Sequence, residues 1–322
     1  MTEQLSKAQA ALYEKTILDI LNQVAGVVIG KNTVVVKMLM SFLAGGHVLL
    51  EDIPGVGKTT LAMAFARSMD LVANRVQFTP DVMPSDITGF TVYNKKTEQF
   101  EYKPGAAFCN LFLADEINRT SSKTQSALLE LMEEGQVTVD AVTRAVPDPF
   151  IVIATQNPVG TVGTQMLPES QMDRFMIRMS MGYPSKESEA KILQNKALGD
   201  PLSGVKKIVG ADEVLSMRQA VKGVFVDGKI FSYIVDLVDK TRRCPHLTLG
   251  ASPRGSIAVL RMARACALLN GRNYVIPDDV QYVFADCICH RLILTAKARV
   301  AGQSAEKLVE DFLRETPVPS MK

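Results

Sequence analysis

Neither sign of charge dominates the 322 residues: 36 Lys and Arg stand against 34 Asp and Glu, a formal net charge of +2. Charge so evenly mixed leaves no polybasic stretch, so the composition does not describe a dedicated nucleic-acid or membrane-surface binder. Long apolar runs are missing too. A spanning helix needs about 18 or more apolar residues, and Lys37 and His47 interrupt the best candidate. Direct membrane insertion is therefore not expected. Cysteine is scarce and odd in number. Cys109, Cys244, Cys266, Cys287 and Cys289 make five, with neither a disulfide-framework spacing nor a secretory leader, so a reducing cytoplasm is the expected setting. The stretch "CICH" at 287–290 invites a metal reading. On a helix, however, Cys287 and Cys289 point to nearly opposite faces, leaving at most Cys287 and His290 to cooperate. A core-facing helix is expected there instead. Internal repeats and low-complexity segments are also absent.

What is present is a rhythm. Residues 3–24 read as a helix, and "VVIGK" turns into a second helical run ending at "AGG". Five short apolar stretches then read as strands: "HVLLED", "RVQFT", "NLFLADE", "FIVIATQN" and "MIRMSM". Alternation of such strands with helices predicts a parallel sheet covered on both faces. Near "GYPSKE" the strands stop and helical patterns take over. Pro253 and Pro277 stand where a first helical residue is expected, and Asp278 and Asp279 follow in the first turn of the second of these helices. A chain of this length is expected to form two domains. The boundary is placed near 184, giving an α/β domain over 1–184 and a helical domain over 185–322.

The stretch "EDIPGVGKTT", residues 51–60, carries most of the P-loop pattern G-x-x-x-x-G-K-[ST], with Asp52 at the position of the first glycine. Gly55 and Gly57 would let the backbone approach an anion, Lys58 would supply charge to the phosphates, and Thr59 a hydroxyl to Mg²⁺. A strand before the loop and a helix after it give the required context, because the helix N-terminus favours anions. A second motif, "LFLADE", ends a strand in two acids. Strand alternation would put Asp115 and Glu116 on opposite sides, one toward a metal and the other toward an attacking water. Gln156 and Asn157 end the next strand, at the edge where parallel sheets bind ligands, and Asn157 could orient water or sense a γ-phosphate. Arg174 in "LPESQMDRF" and Arg254 in "GASPRG" complete the set.

In order and spacing, the phosphate loop, "ADE", "QNP", "DRF" and "SPR" resemble an AAA+ ATPase. The stretches "GHVLLEDIPGVGKTTLA", "LADEINRTSSKTQSALLELMEEGQVTV" and "LPESQMDRF" are similar to the MoxR family. The first P-loop glycine is often replaced in that family, so Asp52 fits the resemblance. The implied fold is an AAA+ P-loop domain with a five-stranded parallel sheet between helices, followed by a small helical lid.

The resemblance also implies roles. Pro54, Gly55, Val56, Gly57, Lys58, Thr59 and Thr60 would form the phosphate loop, with Ile29 and Gly30 beside the adenine of ATP. Thr59 and Asp115 would hold Mg²⁺, Asp115 through water. Glu116 would be the catalytic base and Asn157 the γ-phosphate sensor. Arg174 resembles an arginine finger offered to a neighbouring subunit, and Arg254 a second sensor that can also act across an interface. Lys31 stands where a glutamine is common, which unsettles the adenine contacts. Two stretches, "TGFTVYNKKTEQFEYKPG" and "QVTVDAVTRAVPDPF", resemble hairpins that face the pore of a ring. The implied function is an ATP-hydrolysing chaperone, hexameric in its ring form. Its client would be a protein or protein complex, of a kind that includes von Willebrand A domain proteins. A magnesium-chelatase-type motor subunit and a DNA-associated motor are the alternatives, the first decided by a partner subunit and the second weakened by the near-neutral charge. A nucleotide-bound scaffold is a further reading, opposed by the presence of Glu116 and Arg174.

Overall fold

The computed structural model describes residues 4–157 and 167–320. Ser6 begins the first helix by accepting from Gln9 N, while the Gln9 side chain accepts from Ser6 N. This reciprocal cap satisfies two orphan donors and fixes the start of α1 (Lys7–Ala25) later than the sequence pattern predicts. Next come α2 (Asn32–Leu43), β1 (Val48–Glu51), α3 (Lys58–Ser68), β2 (Ala73–Gln77) and the short α4 (Pro84–Thr88). A hairpin of β3 (Phe90–Asn94) and β4 (Gln99–Lys103) leads to β5 (Leu111–Asp115). Helix α5 (Ser122–Glu134) is followed by a second hairpin, β6 (Gln136–Val139) and β7 (Val142–Ala145), and then by β8 (Ile151–Gln156). Helix α6 (Glu169–Met172) and strand β9 (Ile177–Met179) complete this part.

Five strands form one parallel sheet in the order β2-β5-β8-β1-β9. All five overlap the stretches predicted as strands, β2 beginning two residues before "RVQFT". Alternation along the central strands builds two cores. Leu111, Leu113, Ile151, Ile153 and Leu50 face the layer that contains α1, α2 and α3. Phe112, Ala114, Val152, Ala154 and Leu49 face the layer of α5. Both faces being covered, β5 and β8 are buried at every position, and each large aliphatic side chain contributes about 1.5–3 kcal/mol. The register sets Glu51 beside Gln156 and Gln77 beside Asp115, so the carboxyl ends of the strands make one edge. Ligands of parallel sheets bind at that edge.

The remaining chain is mainly helical: α7 (Lys186–Leu198), α8 (Ala211–Gly223), α9 (Gly228–Arg243), α10 (Pro253–Leu269), α11 (Pro277–Ile288), α12 (Ala296–Val300) and α13 (Ala305–Glu315). Pro253 and Pro277 open α10 and α11, as their fixed φ favours. Helix α10 packs against α8, α9 and α11 and also against α1 and α2. Two findings correct the sequence pattern. Strands do not stop near 184, since β10 (Leu247–Leu249) and β11 (Ile293–Leu294) form an antiparallel ribbon. Helix α11 also ends at Ile288, and a 3-10 turn follows at Cys289–Arg291. The apolar run after that turn supplies β11, which keeps the helix from running on. Cys287, Cys289 and His290 are all buried, in keeping with a core-facing segment. Among the described residues no helix is long and apolar enough to cross a membrane.

Candidate functional site

The loop between β1 and α3 is built around two left-handed glycines, Gly55 at φ 85° and Gly57 at φ 95°. A side chain at either would be strained by the backbone alone. Gly57 caps α3, whose first internal backbone bond runs from Leu61 N to Gly57 O. The N–H groups of Lys58, Thr59 and Thr60 therefore lie ahead of any intrahelical partner. This arrangement suits a polyanion. Lys58 Nζ donates to the carbonyls of Asp52 (3.3 Å) and Ile53 (3.1 Å), which folds its charge over the loop.

Asp52 is no idle substitute for glycine. Its side chain is buried and its Oδ1 accepts from Ser180 Oγ and Gly182 N, both at 2.9 Å, while Oδ2 accepts from Met181 N. The start of the loop is thereby fastened to the chain leaving β9. Lys31 fastens the same segment from the other side, donating to the carbonyls of Met181 and Tyr183. A cleft of about 410 Å³ opens beside the loop, lined by Ile29, Lys31, Pro54, Gly55, Val56, Gly57 and Thr60 together with Tyr183 and residues of α7. Gly30, at φ 75°, lies so close to α7 that a Cβ would meet Ser188 Oγ at 2.3 Å. The cleft thus combines an apolar wall at one end with the N-terminus of α3 at the other.

Asp115 is the last residue of β5 and Glu116 adopts a left-handed conformation at φ 56°. The two acids therefore diverge through a turn, and not through the strand alternation expected from sequence. Thr155 on β8 joins them: its Oγ1 donates to Asp115 Oδ1 at 2.6 Å and accepts from Glu116 N at 2.9 Å. Arg75 pairs with Asp115 at 2.7 Å and Arg119 with Glu116 at 2.7 Å. Thr155 and Arg119 were missed by sequence reasoning. The one signal for Thr155 is a buried polar residue near the end of a mostly apolar strand. Gln156 is fully buried and donates to Glu51 Oε1 at 2.7 Å, which ties the ends of β8 and β1 together. Asn157 follows at the edge, its carbonyl accepting from Asn118 Nδ2 at 3.4 Å. Pro158 of the "QNP" motif lies outside the described residues.

Arg174 and Arg254 lie in a different place. Arg174 donates to Leu129 O at 2.8 Å and pairs with Glu133 at 3.1 Å. Arg254, in the first turn of α10, pairs with the other oxygen of Glu133. Both arginines line a cavity of about 360 Å³ that also includes His47, Asp173, Arg261 and Arg291. That cavity shares no lining residue with the cleft beside the phosphate loop. Its wall is braced by Asp173, which accepts from Ser252 Oγ at 2.9 Å and from the buried Arg291 Nε at 2.8 Å. His47 Nδ1 accepts from Val152 N and Nε2 is 3.0 Å from Met132 O, so the ring is neutral with its proton on Nε2. Burial lowers its pKa to about 4.

Comparison with known proteins finds matches to both parts of the chain. The family model described as ATPase family associated with various cellular activities (AAA) matches residues 47–177, and the AAA lid domain matches residues 239–312. The uncharacterized protein YeaC of Bacillus subtilis is 48% identical over 91% of this chain and 92% of its own. Chaperone MoxR1 of Mycobacterium tuberculosis is 39% identical over 93% of this chain and 81% of its own. A solved structure from Cytophaga hutchinsonii that carries a provisional ATPase label superposes with a TM-score of 0.91 at 38% identity, covering 97% of each chain.

Proposed function

The chain belongs to the MoxR family of AAA+ ATPases, and from that premise we propose an Mg²⁺-dependent, ATP-driven ring that remodels or activates a client protein. The observation that carries the proposal is the meeting of Arg174 and Arg254 on Glu133, in a cavity separate from the cleft beside the phosphate loop. Arginines set apart from their own phosphate loop are suited to a neighbour's nucleotide.

In this reading Lys58 turns from the Asp52 and Ile53 carbonyls to the β- and γ-phosphates, which the N–H groups at the start of α3 cradle. Ile29 and Gly30 form the adenine end of the cleft. Thr59 and Asp115 would hold Mg²⁺, Asp115 through water, and the bound ion would neutralise charge on the β- and γ-oxygens. Glu116 takes the proton of the attacking water once its carboxylate leaves Arg119. Asn157 orients that water or senses the γ-phosphate. Arg174 and Arg254 leave Glu133 to meet charge developing on the neighbour's γ-phosphate. The nucleotide-binding domain ends near 184, supported by the last strand of the main sheet stopping at Met179. The ring is a hexamer and works in the cytoplasm.

Its pore would be faced by the two hairpins. Tyr93 and Phe100 pack edge to face at 5.4 Å on the first hairpin while staying largely exposed, at 52% and 77%. Exposed aromatic pairs are suited to gripping a protein chain. The test is ATPase turnover with light scattering, with and without ATP. ATP should enlarge the assembly by linkage, since it binds at the interface. Full turnover in a strictly monomeric chain would refute the ring.

A further inference from the structure

Next to the arginine cavity is another cleft, of about 550 Å³, between the end of α2, the segment carrying Asp148, and helices α8 and α10. Its charged lining is one-sided. Arg218 and Lys222 come from α8, Arg261 and Arg264 from α10, and the single acid is Asp148. Residues three or four apart share a helix face, so each helix presents a pair of cations. Asp148 does little to offset them. Its side chain is 70% exposed and its Oδ1 stands 3.4 Å from Arg218 Nη1.

The deeper cations are short of partners. Arg218 keeps only 12% of its side chain exposed and donates Nε to Phe42 O at 2.9 Å. Its Nη2 is buried without a hydrogen-bond acceptor among the described residues, and so is Nε of Arg264. A buried donor on a charged group costs free energy until an acceptor reaches it. Burial also lowers the pKa of both guanidiniums, opposed at Arg218 by the charge of Asp148. Lys222 and Arg261 are exposed at the rim.

We propose that this cleft is a second anion site, which takes a small multivalent oxyanion of the phosphate class between the Arg218 and Arg264 guanidiniums. Guanidinium forks match the oxygens of such an ion, and Lys222 and Arg261 add charge at the entrance. Both guanidiniums line a concave cleft, which a small ion enters more readily than a polymer backbone. The cleft shares no lining residue with that of the phosphate loop, and only Gly45 and Arg261 with the arginine cavity. The site therefore stands independently of the ring reading. An ion there would bridge α8 and α10 to the end of α2.

Calorimetric titration of pyrophosphate into the full chain tests this, with Lys58→Ala as background to remove binding at the phosphate loop. One site should remain. Adding Arg264→Gln or Arg218→Gln should weaken it about tenfold or more, whereas Arg174→Ala, in the neighbouring cavity, should leave it unchanged. Succinate at matched ionic strength should bind far more weakly. Because Arg218→Gln alters a buried side chain and can impair folding, Arg264→Gln decides. Loss of all binding with Lys58→Ala alone, unchanged affinity in folded Arg264→Gln, or equal binding of succinate would each overturn the proposal.

Discussion

Thr155 spends one hydroxyl on two neighbours, donating to Asp115 and accepting from Glu116 N. Thr155→Val keeps the shape and removes both bonds, leaving polar groups unpaired beside a buried carboxylate. We expect a loss of about 1–3 kcal/mol, measured by urea unfolding. Glu116→Gln should behave differently. It keeps the fold and nucleotide binding, yet lowers ATP turnover by about 10²-fold or more, because an amide cannot take the water's proton. Unchanged turnover at saturating ATP would remove Glu116 from the role of base. Both acids were legible in "LFLADE", and Lys58 and Thr59 in the loop, since these motifs are local in sequence. Thr155 was not. Its part depends on β8 pairing with β5, a contact between segments 40 positions apart, and a threonine in a strand is ordinary on propensity alone.

Among the elements, the parallel sheet is legible in the apolar rhythm, and the two hairpins in their resemblance to those of the family. Helix α11 was read too long because its apolar pattern runs into β11 without a glycine or proline to mark the end. From sequence Asp52 is a replacement for the first P-loop glycine that fits the family, whereas in the structure it ties the phosphate loop to the segment after β9. Asp52→Ala should strip three donors of their acceptor, at a cost of about 2–4 kcal/mol by denaturant unfolding, and weaken nucleotide binding as the loop loosens. His47 is a pH-sensitive joint between β8 and α5. Its native pKa of about 4 lies below the unfolded value of 6.5. The unfolded chain therefore takes up a proton first as pH falls, and stability is lost between about 6.5 and 4. From pH 7 to 5 this contribution is about 2 kcal/mol. His290, buried and likewise lowered, adds in the same direction. In His47→Gln the amide can keep one acceptor and one donor, so unfolding free energies at the two pH values should differ less than in the wild type. An equal difference would contradict the assignment.

At the scale of the whole molecule, Arg174 and Arg254 could be picked out from "DRF" and "SPR", but not the acid that joins them. Glu133 lies 121 positions from Arg254 and sits among several acids on an amphipathic helix. Nor could Arg291 be found, since its role rests on burial against Asp173 where the helical part meets the sheet domain. These long-range contacts place both arginines away from the phosphate loop of their own chain, and we propose that they serve the next one. Arg174→Ala alone and Lys58→Ala alone should each be nearly inactive, the finger contributing on the order of 10³-fold to rate. Mixed together, an intact site on an Arg174→Ala protomer can receive the finger of a Lys58→Ala neighbour. The most direct measurement is ATPase rate across mixing ratios of these two variants, with mixed assemblies verified by tagged co-purification. Partial recovery of activity, greatest at intermediate ratios, is the expected result. Mixed rings that form yet show no gain over either variant would mean that Arg174 does not act on a neighbour's nucleotide.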